Sequence, residues 1–177
     1  DFNQERMVEV INADLANNIG NLAQRSLSMI QKNCDGKVPA YANKQEALMN
    51  KLYDKNRKGY LTAMNEFRYN DALLELAEGA HTMNHYFADN APWVLKKENP
   101  ELMAEVLHYT VEGIRCIAIL LQPFCPDAAA KLLDQLAVPV DERGFEHLSD
   151  KFALKASVEL PKPEGVFPRL QVEAAAA

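Results

Sequence analysis

Glycine is scarce in this chain, with seven among 177 residues, and no alternating polar–apolar run lasts long before residue 150. Those two shortages argue against a sandwich or barrel and leave helices as the main element. Cysteine is scarce too. Cys34, Cys116 and Cys125 are odd in number and lack CxxC spacing, which argues against a disulfide framework or zinc site and leaves reduced thiols as the expectation. No apolar run approaches the roughly 20 residues that cross a bilayer, and no secretory leader precedes the first helix. The expected chain is soluble and cytoplasmic, with no membrane partner.

Positive charge is also short, at a formal net of −6. A protein that grips nucleic acid mainly through phosphates is normally basic. Any RNA binding here therefore has to run through a small local site, or through a larger surface outside this chain. The sequence holds no GxxxxGK[ST], GxGxxG, GxSxG or HExxH motif, so phosphate-loop, dinucleotide, serine-hydrolase and zincin chemistry have no foothold. His81 and His85 lie four apart, but only Glu78 stands near as a third ligand, so they read as ordinary helix residues and no metal is expected. Glu75 with Glu78, and Asp141 with Glu142, read as solvated faces or turns. No catalytic residue is expected.

What is present is a helical pattern. At 48% hydrophobic and 25% charged residues, the length suits one domain with a proper core. A helix is expected from Glu5 to about Lys32, stopped by Asn33–Gly36 with Gly36 left-handed. Its stripe of Ile11, Leu15, Ile19, Leu22 and Met29 makes the Asn12–Ile30 stretch the expected centre of the fold. A second helix is expected from Asn43 to about Arg57, broken by Lys58-Gly59. Thr62 is expected to cap the longest helix, which runs to near Phe87 with Phe67, Leu74, Ala77, Ala80, Asn84 and Phe87 inward. Pro92 suits the first turn of a short helix, and Asn99-Pro100-Glu101 opens another that Pro123 ends. Its expected stripe is Leu102, Val106, Tyr109, Gly113, Ile117 and Leu120. Pro126-Asp127 open a last helix. The expectation is an all-α bundle of about five main helices over residues 1–138. An extended return segment, with a short strand or two near Lys155–Leu160, follows over 139–173, and 174–177 reads as an appended remnant.

Two places carry chemistry. Asn21 and Arg25 are four apart and share a strip beside the first helix's stripe. An amide beside a guanidinium suits the edge of a nucleobase or a carboxylate, unless both simply solvate the helix. Trp93, the lone tryptophan, follows Pro92 and precedes Lys96 and Lys97. It is either core or a flat platform for an unstacked base, worth about 1–3 kcal/mol per base. Asn84 falls on a side expected to be buried or half-buried and needs partners there, since an unsatisfied amide costs about 1–3 kcal/mol.

The run from Asn12 to Arg25, continued by Met29-Ile30 and Asp35-Gly36-Lys-Val-Pro39, resembles the opening of the anticodon-binding domain of bacterial methionyl-tRNA synthetases. Asn84-x-Tyr86, Ala91-Pro92-Trp93-x-Leu95-x-Lys97, Glu112-Gly113-Ile114-Arg115, Leu121-Gln-Pro123-Phe-x-Pro126 and Gly165-Val-Phe167-Pro168-Arg169 are similar to the same family, in order and spacing, from about residue 3 to 170. The resemblance implies a class I aminoacyl-tRNA synthetase bundle that reads the CAU anticodon of tRNA(Met). It implies that Trp93 stacks on the anticodon, that Asn21 and Arg25 bond base edges, that Pro92 shapes the turn bearing Trp93, and that Asn84 organises that turn. HIGH-like and KMSKS-like motifs, which bind ATP in the family, are absent. ATP and methionine transfer would then belong to a separate catalytic domain, a second expected partner, with no cofactor here and no activity of the fragment alone. The chain is expected to be an excised domain. Two other readings stand open: a helical-bundle interaction module with no RNA role, and the equivalent domain of a sibling synthetase for valine, leucine or cysteine.

Overall fold

The computed structural model describes residues 3–41, 53 and 57–168. Among them the chain forms an all-α bundle without a named strand; its one β-type pairing is the isolated bridge between Lys37 and Glu159. The expected helix at 43–57 falls mostly on residues 42–52 and 54–56, outside the described residues.

The first helical stretch has three parts: α1 (Gln4–Val10), a π-helical segment (Ile11–Gly20) and α2 (Asn21–Asn33). Asn3 caps it by accepting from the Arg6 amide at 2.9 Å. It stops as expected, with Gly36 at φ 68° and its N–H returned to the Ile30 carbonyl, a left-handed turn that glycine adopts without strain. The π segment was not anticipated. Its i→i+5 spacing widens the turn and brings Ala16, Asn18 and Ile19 inward together. Below it, Leu22, Ala23, Ser26, Leu27 and Ile30 are buried, a broader face than the expected stripe.

Helix α3 (Arg57–Asn65) runs straight through Lys58-Gly59, which do not break it. A Cβ at Gly59 would lie 2.6 Å from the Glu75 carboxyl carbon, the movable end of a side chain on α4. Thr62 lies inside α3 and is no cap. The expected long helix is interrupted at Phe67, which sits at φ 59° and is 77% exposed. Helix α4 then spans Tyr69–Asn90 and buries Ala72, Leu76, Gly79, Ala80, Met83 and Phe87. The corner at Phe67 restarts the phase, so Leu74 is exposed while Leu76 enters the core.

Helix α5 (Pro92–Glu98) and α6 (Pro100–Leu121) begin on Pro92 and Pro100 as expected, and the Asn99 side chain accepts from the Leu102 amide at 3.1 Å. The centre of the fold is α6, not the Asn12–Ile30 stretch. From Met103 to Leu121 every residue but Ala104 is buried, because α2, α4, α5 and α7 (Pro126–Gln135) all pack on it. A helix apolar on one face only would sit at the rim; one packed on all sides forms the axis. Gly113 meets Met83 there, and a Cβ would lie 2.6 Å from its sulfur.

Being enclosed, α6 buries charge. Glu112 and Arg115 are both in the core, joined by a 2.7 Å ion pair. Glu112 Oε1 also accepts from Tyr53 Oη at 2.6 Å and Arg115 Nε at 2.9 Å, and Oε2 accepts from the Leu154 amide at 2.9 Å. Arg115 Nη1 donates to the His147 carbonyl at 3.0 Å. Burial and then the neighbouring Glu112 charge push the Tyr53 hydroxyl up. Burial works to lower the Arg115 pKa, but Glu112 beside it holds the guanidinium above its ordinary range.

His147 and Leu154 belong to the segment after Val138, which makes three single 3₁₀ turns and returns across the bundle. The Val38 amide donates to Val158 O at 2.8 Å, Ser157 N to Val38 O at 2.8 Å and Leu160 N to Gly36 O at 2.8 Å. Gln31 Nε2 holds Leu160 O at 2.9 Å, and Gln135 exchanges two bonds with Glu164.

Candidate nucleic-acid interface

Ala91 turns the chain between α4 and α5 in a left-handed conformation, φ 41° and ψ 62°. Its carbonyl takes the amides of Val94 and Leu95 at 2.8 and 3.2 Å. Pro92 follows at the first helical position, where its missing N–H costs nothing, and is itself buried. This corner folds Trp93 back toward Phe87, the last buried residue of α4, with ring centroids 5.9 Å apart at 60°. Trp93 remains 46% exposed. The indole is thus braced by Phe87 and about half open to solvent.

Arg25 reaches the same corner from α2. Its guanidinium carbon stands 5.0 Å from the Phe87 centroid and 5.3 Å from that of Trp93, both within cation–π range. Among the described residues no carboxylate pairs with it, so its planar fork of donors is held by ring faces and offered outward. Asn21 is exposed one turn earlier on α2. It lines an open groove of about 410 Å³ with Ala16, Gly20, Gln24, Val166 and Phe167.

The structure therefore brings Arg25, Pro92 and Trp93 together and sets Asn21 on the adjoining turn. Asn84 is employed elsewhere: its Nδ2 donates to the Asn18 carbonyl at 3.1 Å, to Asn18 Oδ1 and to Ala80 O at 3.1 Å. It ties α4 to the π segment. Phe87 falls in the expected core stripe, and its contacts with Arg25 and Trp93 depend on the left-handed corner at Ala91, which no glycine or asparagine marks. His81 and His85 are both exposed, and among the described residues no group of three metal-ligating side chains occurs. Arg169 lies outside the described residues.

The arrangement offers an accessible aromatic face, a cation fixed beside it and an amide one turn away. That suits a flat, partly polar ligand with acceptors on its edge, and it does not require a basic protein.

Residues 36–177 match the family described as the anticodon binding domain of methionyl tRNA ligase. The methionine–tRNA ligase of Mesorhizobium japonicum is 46% identical over 171 residues, 95% of this chain and 33% of that protein. That of Rickettsia bellii is 41% identical over 178 residues, 96% and 34% respectively. The free-state crystal structure of Mycobacterium tuberculosis methionyl-tRNA synthetase overlays with a TM-score of 0.88 at 36% identity, covering 97% of this chain and 35% of that one. The chain spans about a third of the length of the relatives it matches.

Proposed function

The chain belongs to the family of methionyl tRNA ligase anticodon binding domains, and from that premise we propose that it holds the CAU anticodon loop of tRNA(Met) for charging by a catalytic domain outside this sequence. An unstacked base lies on the exposed indole of Trp93. Arg25 donates to the acceptors on the base edge, and the Asn21 amide, donor and acceptor at once, bonds the same edge or the next one. Pro92 and Ala91 fix the corner that presents the indole, and Asn84 acts at a distance by locking α4 to the helix that carries Arg25. One observation carries the reading: the guanidinium stands 5.3 Å over an indole that is 46% exposed.

Activation of methionine with ATP belongs to the rest of the ligase. This sequence offers no phosphate loop and no HIGH-like or KMSKS-like stretch to hold a nucleotide triphosphate, so no step of that reaction is placed on these residues. In the cell the whole enzyme works in the cytoplasm. A helical adaptor without an RNA role is not favoured, because the match runs over most of the chain and names an anticodon-binding domain. The relatives named above are methionine ligases, which also disfavours a valine, leucine or cysteine sibling.

Titration with stem-loops carrying CAU or UAU tests this. Trp93→Ala weakens CAU binding by about 1–3 kcal/mol, the value of one stacked base, while the exposed Lys151→Ala has little effect. Arg25→Gln lowers discrimination between the two loops. Equal, small losses from all three substitutions reject the reading.

A further inference from the structure

We propose that Phe87 is a positioning residue of this site: its buried ring sets where the Arg25 guanidinium stands relative to the Trp93 indole, and so how tightly a base is gripped. The inference rests on the anticodon reading and deepens it. Phe87 is 1% exposed, so it touches no visiting nucleotide. Yet among the described residues it is the one whose ring meets both outer groups, at 5.0 Å to the guanidinium carbon and 5.9 Å to the indole centroid.

The geometry gives it more to do than fill space. A free Arg25 side chain has many rotamers to lose. Among the described residues no hydrogen bond or ion pair restrains its guanidinium; the π faces of Phe87 and Trp93 do so. The Trp93 face is the one a base needs. The Phe87 face is the one that remains for Arg25 whether or not a base has arrived. An aromatic ring at this depth keeps the fork of donors pre-aimed and its ordering cost already met, which raises affinity without a contact of its own. An aliphatic side chain of similar bulk fills the core and lacks the negative ring face that attracts the cation.

Fluorinated phenylalanines at position 87 separate the two roles, since successive ring fluorines weaken and then reverse the ring's electrostatic face while nearly keeping its shape. In the full chain, CAU stem-loop affinity falls step by step along the series, to about tenfold at full substitution, with the melting temperature nearly constant. Phe87→Leu gives a comparable loss. In an Arg25→Met background the fluorine series has no effect on affinity, because the cation it acts through is gone. Affinity that ignores fluorination, or that falls as steeply without Arg25, overturns the positioning role and leaves the anticodon reading standing. An unsubstituted chain that fails to prefer CAU over UAU overturns the anticodon reading, and the role of Phe87 falls with it.

Discussion

Arg25 and Asn21 were visible in the sequence as a four-residue pair, and Trp93 as the residue after a helix-opening proline. Local rules suffice for both, because helical spacing and proline's fixed φ act within one turn. Asn84 was half visible. Its need for partners follows from burial, but the partner is Asn18, 66 residues away, and nothing local names it. Glu112 and Arg115 were the opposite case: periodicity sends charged residues outward, and only an enclosing bundle turns them in. His108 belongs with them. Its ring is buried, stacked on Tyr41 at 4.1 Å, with Nδ1 2.9 Å from the Pro39 carbonyl. Burial pushes its pKa below the ordinary 6.5, against the opposing pull of the Pro39 bond and the Glu112 charge. Below pH 6.5 the unfolded chain therefore binds more protons here than the folded one, and stability declines as pH falls. Urea melts from pH 7 to about pH 5 should show a shallower decline for His108→Gln than for the unsubstituted chain.

Among the elements, helix starts were legible where a proline marks them, at Pro92, Asn99-Pro100 and Pro126; the expected cap at Thr62 is none, and the cap at Asn3 lies two residues before the expected start at Glu5. Interruptions were not. Phe67 at φ 59° carries no glycine or asparagine signal, and the π segment keeps apolar spacing close enough to α-helical to pass for it. The axial place of α6 was missed for a similar reason: its pattern fits a one-faced stripe, and only the count of helices around it reveals the other faces. Gly113 is where that enclosure is tightest. Gly113→Ala pushes a methyl to within 2.6 Å of the Met83 sulfur, and overpacking of this kind costs about 1–3 kcal/mol. Chemical denaturation should find a loss of that size, part of which returns when Met83→Val makes room.

At the scale of the whole molecule, the return segment is tied both to α2, through Gln31, and to the axial α6. Glu112 takes the Leu154 amide and Arg115 gives to the His147 carbonyl, so one buried pair holds the segment down from beneath. Glu112→Gln leaves Arg115 charged and uncompensated, a defect of about 3–5 kcal/mol. The urea midpoint should fall accordingly, and the joint change Glu112→Leu with Arg115→Met should fall less, since two well-packed apolar residues avoid the stranded charge. No helix among the described residues is long and apolar enough to cross a membrane.

The seam between residues 36–38 and 157–160 has a different character, for its bonds run between main-chain atoms alone. Such a latch asks little of most side chains along it. The exposed Lys37 and Glu159 can be exchanged without loosening it, whereas Gly36 at φ 68° and Ser157 at φ 70° hold positions that disfavour branched side chains; a residue that deletes an amide hydrogen, proline in place of Leu160 for instance, takes a rung away. What the seam demands is a backbone course: the exposed letters along it are nearly interchangeable, and the buried Val38 and Leu160 are not.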